Sequence, residues 1–170
     1  MTGPAGAEAF LARVDDVQRR LAAHARSEPA PGLTAPDPPT GEQWDWGQVW
    51  AHLGEFVHYW TGQVRVVLAL PSPEHPVPFG RTKADPVRVG AIEADRYTDP
   101  SIIMARLVKQ LDDLRVLLAG MTPEGWSRTV LHSTLGVMNM QSVIDEFLVG
   151  HLEAHADQLD GLVDAGRAGQ

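Results

Sequence analysis

Four stretches of helical apolar period, cut apart by proline, set what this chain can fold into. Between about Ala7 and Ala25, Phe10, Leu11, Val14, Val17 and Leu21 recur at steps of three and four, while Asp15, Asp16, Arg19 and Arg20 fill the other face. Pro29, Pro31, Pro36, Pro38 and Pro39 crowd the segment from Ser27 to Thr40, which reads as a polyproline-like connector because proline fixes φ and gives up an amide donor. A second helix is expected from about Gly41 to Leu70, carrying Trp46, Val49, Trp50, Leu53, Phe56, Val57 and Trp60 and stopped by Pro71 and Pro73. The third, from about Pro100 to Leu118, aligns Leu107, Leu111, Leu114 and Leu118, with Gly120 at its end. The fourth, from about Gln141 to Asp164, carries Ile144, Phe147, Leu148, Leu152, Leu159 and Leu162.

Two segments fall outside this period. Ser72 to Pro100 is rich in proline and glycine and reads as a long loop, of a length that in small domains is often functional, for example as a lid. In Thr129 to Met140, apolar residues flank Ser133 to Gly136, and a small hairpin is expected. The fold class expected is therefore all-α: a four-helix bundle with a long loop between helices two and three and a small hairpin before helix four. With 170 residues, 44% of them hydrophobic, the chain suits one domain over residues 1–170 with its own core.

Composition removes several functions. The chain has no cysteine, which excludes a disulfide framework, a thiolate metal site and a cysteine nucleophile of its own. A formal net charge of −8, with Arg19–Arg20 as the densest basic spot, disfavours nucleic acid as a partner. No membrane span is expected, since apolar runs such as Val66 to Leu70 are too short. Met1 to Glu8 lacks the basic and apolar regions of a signal peptide, and a cytoplasmic location is expected.

The chemistry centres on histidine. His151 and His155 stand four apart on the fourth helix, so both rings reach one face and can grip one cation. Leu152 follows His151 where a zincin motif needs its glutamate, and Glu153 lies about 200° around the helix from His151. Gln158 shares the face of the pair and reads as a supporting residue around the metal. His52, among apolar neighbours on the second helix, is expected as the third ligand. Three imidazoles leave coordination positions open, the pattern of a catalytic rather than a structural site. Glu55 and Tyr59 follow His52 by three and seven and are the candidate catalytic residues, Glu55 as a fourth ligand or proton acceptor and Tyr59 as a donor to substrate. His58 points elsewhere, and His24, His75 and His132 read as surface residues.

Two motifs, Trp44-Asp45-Trp46-Gly47-Gln48-Val49-Trp50-Ala51-His52-Leu53 and His151-Leu-Glu-Ala-His155-Ala-Asp-Gln158-Leu159, resemble those of the DinB/YfiT-like superfamily. That superfamily includes the metal-binding domain of mycothiol-dependent maleylpyruvate isomerase and bacillithiol S-transferases. The resemblance implies a four-helix bundle with a three-ligand site for a divalent metal, zinc first, with nickel or iron as alternatives. The isomerase branch is similar but carries glutamate where this chain has His151, so the ligand set resembles the DinB/YfiT side. The expected function is a metal-dependent transferase that joins a small, mycothiol-like thiol to an electrophilic small molecule. A metal-dependent hydrolase and a non-catalytic metal-binding or scaffold bundle are the alternatives, and a homodimer is left open. Because unperturbed imidazole titrates near about pH 6.5, metal occupancy is expected to fall between about pH 7 and 5.

Overall fold

The computed structural model describes residues 5–71 and 74–169. Its long helices are α1 (Ala5–His24), α2 (Trp46–Ala69), α4 (Pro100–Gly120) and a C-terminal rod made of α6 (Met140–Ile144), a π-helical turn (Asp145–Val149) and α7 (Gly150–Ala168). Helix α2 packs against α4 and α7, and α1 closes the ring against the same two helices. The apolar stripes read from the sequence meet in one continuous core that includes Val14, Leu21, Trp50, Leu53, Phe56, Leu107, Leu111, Leu114, Leu148, Leu152 and Leu159.

The ends of these helices follow side-chain chemistry. Helix α2 starts at Trp46, not near Gly41, because Asp45 and Gln48 form a capping box: the Gln48 amide donates to Asp45 Oδ1 at 2.8 Å, and the Asp45 amide donates to Gln48 Oε1 at 3.1 Å. It ends at Ala69, before Pro71; Pro73, also read as a stop, lies outside the described residues, as does Ser72 at the start of the expected loop. The residues from Gly41 to Asp45 instead carry Trp44, held by Thr34: the Trp44 amide donates to Thr34 Oγ1 at 3.0 Å, and the Thr34 amide to the Trp44 carbonyl at 2.8 Å.

The segment read as a long loop is partly structured. It contains β1 (Val77–Phe79) and α3 (Pro86–Asp95), and α3 packs on α2. Asp85 caps α3 by accepting from the Arg88 amide, with Pro86 at the first helical position, an N-terminal signal short enough to be lost among the other prolines. A four-residue helix, α5 (Pro123–Trp126), precedes the hairpin. The hairpin is present as β2 (Thr129–His132) and β3 (Gly136–Asn139), antiparallel, with Val130 opposite Met138 and His132 opposite Gly136. Strand β1 adds in parallel on the other side of β2, pairing Val77 with Val130 and Phe79 with His132. The fold is thus mostly helical with a three-stranded sheet, not all-α with a hairpin alone. The pairing of β1 with β2 spans about fifty residues, which no local period encodes, and Pro78 suits β1 to a sheet edge.

Strand alternation also corrects the reading of His132. It faces inward and is buried, packed on Phe147 at a ring separation of 5.0 Å, with Nδ1 accepting from the amides of Thr134 and Leu135 at 3.2 and 3.3 Å. Its Nε2 therefore carries the proton and donates to the Arg81 carbonyl at 3.4 Å. His24 is half-buried and joined to Asp160 at 2.7 Å, whereas His58 and His75 are exposed.

Gly80 lets the chain leave β1 toward the bundle. Its φ is +84°, and a Cβ there would lie 2.7 Å from the Trp60 ring and 3.0 Å from that of His132. Gly80→Ala should therefore cost roughly 2–4 kcal/mol, the sum of left-handed strain and overpacking. Urea unfolding of the variant beside wild type measures this, and equal midpoints would contradict it.

Candidate metal centre

His52 comes from the second turn of α2, and His151 and His155 from the start of α7. Both helices present these positions to their shared interface, so the three side chains meet. The Nε2 atoms of His52 and His151 are 3.0 Å apart, and those of His155 and His151 are 3.1 Å apart. All three ligand atoms lie within 4.8 Å of one another. Nitrogens about 2.0–2.1 Å from a tetrahedral zinc ion would stand roughly 3.3 Å apart, so this spacing fits a divalent cation with a few tenths of an ångström of adjustment.

The far edge of two rings is already engaged. His52 Nδ1 meets Glu55 Oε1 at 2.8 Å, and His155 Nδ1 meets Gln158 Oε1 at 2.7 Å. A carboxylate and an amide oxygen only accept, so both Nδ1 atoms carry the proton, and both Nε2 lone pairs point at the common centre. Such outer partners fix ring orientation in metal sites. Glu55 thus lies on the Nδ1 side of His52, away from the point where the Nε2 atoms converge. Its other oxygen accepts from Arg81, and Arg81 in turn lies over the Tyr59 ring, 3.9 Å from its centroid. Tyr59 thus meets this ion pair through Arg81.

Aromatic rings wall the centre on two sides. Trp44 stacks on His155 at a ring separation of 5.8 Å and meets His52 edge-on at 5.0 Å, while Phe56 lies 4.6 Å from His151. His52 and His155 are buried, and His151 is half-buried, so it marks the side nearest solvent. Burial, the neighbouring imidazoles and the Arg88 charge hold His52 and His151 well below the usual imidazole range. Burial takes His155 down to about 4, opposed by its bond to Gln158. Glu55 is pushed up by burial, with the Arg81 hydrogen bond acting against it, and the Tyr59 phenol is likewise raised by burial.

The backbone beneath the pair is unusual. The π-helical turn ends at Val149, just before His151, and Gly150 allows it: a Cβ at Gly150 would lie 2.7 Å from the Asp145 carbonyl. Single π turns inside helices often mark functional sites. Glu153 points to the opposite side, where Arg13 of α1 grips it with bonds of 2.8 and 2.6 Å and so holds α7 in place. Arg81, Lys83 and Arg88 near the centre were not read from the sequence. Their only signal was basic spacing within a segment taken for loop, and it acquires meaning once α3 is folded onto α2.

Three imidazoles that converge across one helix interface of a helical bundle form a group that could hold a metal ion. The profile of the DinB superfamily matches residues 13–159, and the chain belongs to that superfamily. Among solved structures it is similar to YfiT from Bacillus subtilis, a probable metal-dependent hydrolase with an unusual four-helix bundle topology, at 15% identity and a TM-score of 0.71, covering 97% of this chain and 90% of that one. It is also similar to the mycothiol-dependent maleylpyruvate isomerase, at 11% identity and a TM-score of 0.66, covering 90% of this chain and 60% of that longer one. An uncharacterized protein from Clostridium difficile 630 matches at 11% identity and a TM-score of 0.63, covering 96% of this chain and 98% of that one. No curated protein sequence matches the chain. At these identities the likeness establishes the fold.

Removing a ring should matter more than removing its support. His155→Ala should abolish zinc binding while the bundle stays folded, whereas Glu55→Gln and Gln158→Leu should weaken zinc affinity by about 10- to 100-fold. Competition titration with a chromogenic chelator, checked by circular dichroism, reads both; unchanged affinity in all three would exclude this centre.

The depressed imidazoles carry a pH signature. Below about pH 6.5 the unfolded chain takes up protons that the folded, metal-free protein refuses down to about 4 at His155. Stability is thus full above about pH 6.5 and is lost as pH falls toward the folded value, by up to about 1.4 kcal/mol per pH unit for each such group. Proton competition with a metal also moves below the window that ordinary imidazoles would set. Denaturation of the chelated protein from pH 7 to 4.5 should show this slope, and His155→Gln should flatten it by about one proton; parallel profiles would refute the assignment.

Proposed function

We propose that this protein is a metal-dependent enzyme that transfers a small thiol to an electrophilic small molecule, with zinc held by His52, His151 and His155. The observation that carries the reading is the convergence of three Nε2 atoms on one point with no carboxylate among them. A dication held by three neutral ligands keeps its charge and its open positions, and supplies Lewis acidity that lowers the pKa of a thiol. Nickel and iron also accept imidazole ligands.

The chain's own residues prepare and protect that point. Glu55 and Gln158 hold the Nδ1 protons and so keep the Nε2 lone pairs inward. Arg81 restrains Glu55 and rests on Tyr59, which leaves Glu55 committed to His52 rather than free to shuttle protons to a substrate. Trp44 and Phe56 line the centre with apolar surface, which strengthens charge interactions beside it. The lack of cysteine keeps the protein from forming mixed disulfides with its thiol. A cytoplasmic setting, where small thiols stay reduced, suits this chemistry, and no described helix is long and apolar enough to cross a membrane.

A metal-dependent hydrolase is the second reading, favoured by the likeness to YfiT. Turnover of an electrophile by the zinc-loaded protein, with and without added thiol, separates the two. Thiol-dependent product should form at least tenfold faster than with His155→Ala, whereas equal hydrolysis with and without thiol would favour the second reading. Elemental analysis of the purified protein should find about one metal ion per chain; none would end both.

A further inference from the structure

The segment that crosses from β1 into α3 brings three cations near the histidines, and one of them lacks a counter-charge. Arg81 is paired with Glu55, and Lys83 with Asp37 at 2.8 Å. Arg88, in the first turn of α3, is only 8% exposed, yet no carboxylate of the described residues pairs with it. Its side chain donates from Nη1 to the Lys83 carbonyl at 2.7 Å. Its guanidinium lies over Trp44, 5.4 Å from the ring centroid, and the same indole walls His52 and His155.

A buried guanidinium is costly without an anion, and its planar fork of donors matches the two oxygens of a carboxylate. Glu42, Glu55 and Asp37 act on Arg88 only at a distance, and its charge is felt at all three imidazoles. Around the centre, Glu55 and Arg81 cancel, so Arg88 adds to the uncompensated charge of any bound dication. The fold holds this charge in place through the Asp85 cap, which accepts from the Arg88 amide at 3.0 Å.

We propose that Arg88 is an anion subsite beside the three histidines and receives a carboxylate of the small-molecule ligand. This rests on reading the cluster as a ligand-binding metal centre. The ligand would then be held at two points: one group at the histidine cluster and a carboxylate on Arg88.

Calorimetric titration of the full chain with succinate and with its uncharged diamide tests this, on zinc-loaded and metal-stripped protein. Wild type should bind succinate and not the diamide, and Arg88→Gln should weaken succinate at least tenfold while zinc content and the thermal melt of the loaded protein stay unchanged. Equal succinate affinity in Arg88→Gln, or no saturable binding to wild type, overturns the proposal. Should Arg88→Gln not fold, Arg88→Lys takes its place: it keeps charge but loses the fork, affinity should drop several-fold, and unchanged affinity overturns the subsite. Metal content keeps the two readings apart. A chain that takes up no zinc but binds succinate through Arg88 refutes the metal centre alone, and one that takes up zinc and ignores succinate refutes the subsite alone. An Arg88-dependent preference for 3-mercaptopropionate over 2-mercaptoethanol assigns the carboxylate to the thiol; without it, Arg88-dependent succinate binding assigns it to the electrophile.

Discussion

Three imidazoles packed together at one helix interface set terms that their surroundings must meet. A buried polar ring is costly unless both of its nitrogens are satisfied. Here the inner nitrogen of His151 lies 3.0 Å from that of His52 and 3.1 Å from that of His155, a spacing that either a shared cation or a single N–H on His151 satisfies. The outer nitrogens of His52 and His155 are bound by Glu55 and Gln158, which settles the direction of the rings before any ligand arrives. Each supporting residue lies three positions along its own helix from the ring it holds, so one helical turn delivers ligand and support together.

The crossover between α2 and α4 is the second structural commitment. It leaves the sheet at Gly80, sets Arg81 against Tyr59 and Glu55, and enters α3 at a capped turn that carries Arg88. Hydrogen bonds from His132 to the Arg81 carbonyl and from Arg96 to Asp45 at 2.7 Å tie this segment to the hairpin and to the start of α2. The sheet, small as it is, therefore positions a charged part of the site. A four-helix bundle alone would present three histidines. The crossover adds an electrostatic environment around them.

Apolar stripes gave away the helices because a helix that packs against a core repeats its buried face every three to four residues, and the signal is contained in each segment. The same locality explains the His151–His155 pair. His52 was legible as an oddity, a polar ring in the apolar face of α2. Glu55 was noticed for its spacing, but spacing does not say which side of a ring a carboxylate reaches. Its place at Nδ1 depends on the rotamer of His52 and on Arg81, twenty-six residues away.

By itself, then, the sequence determined the long helices, the proline breaks between them and a histidine pair on one helical face, since each is a matter of local period and backbone chemistry. Tertiary structure decided the rest. It chose the common point of three Nε2 atoms, the burial of His132 on a sheet whose first strand lies about fifty residues from its second, and the delivery of Arg81 and Arg88 to the rim of the centre. These depend on contacts between distant segments, which form only when the core closes and leave no period in the chain.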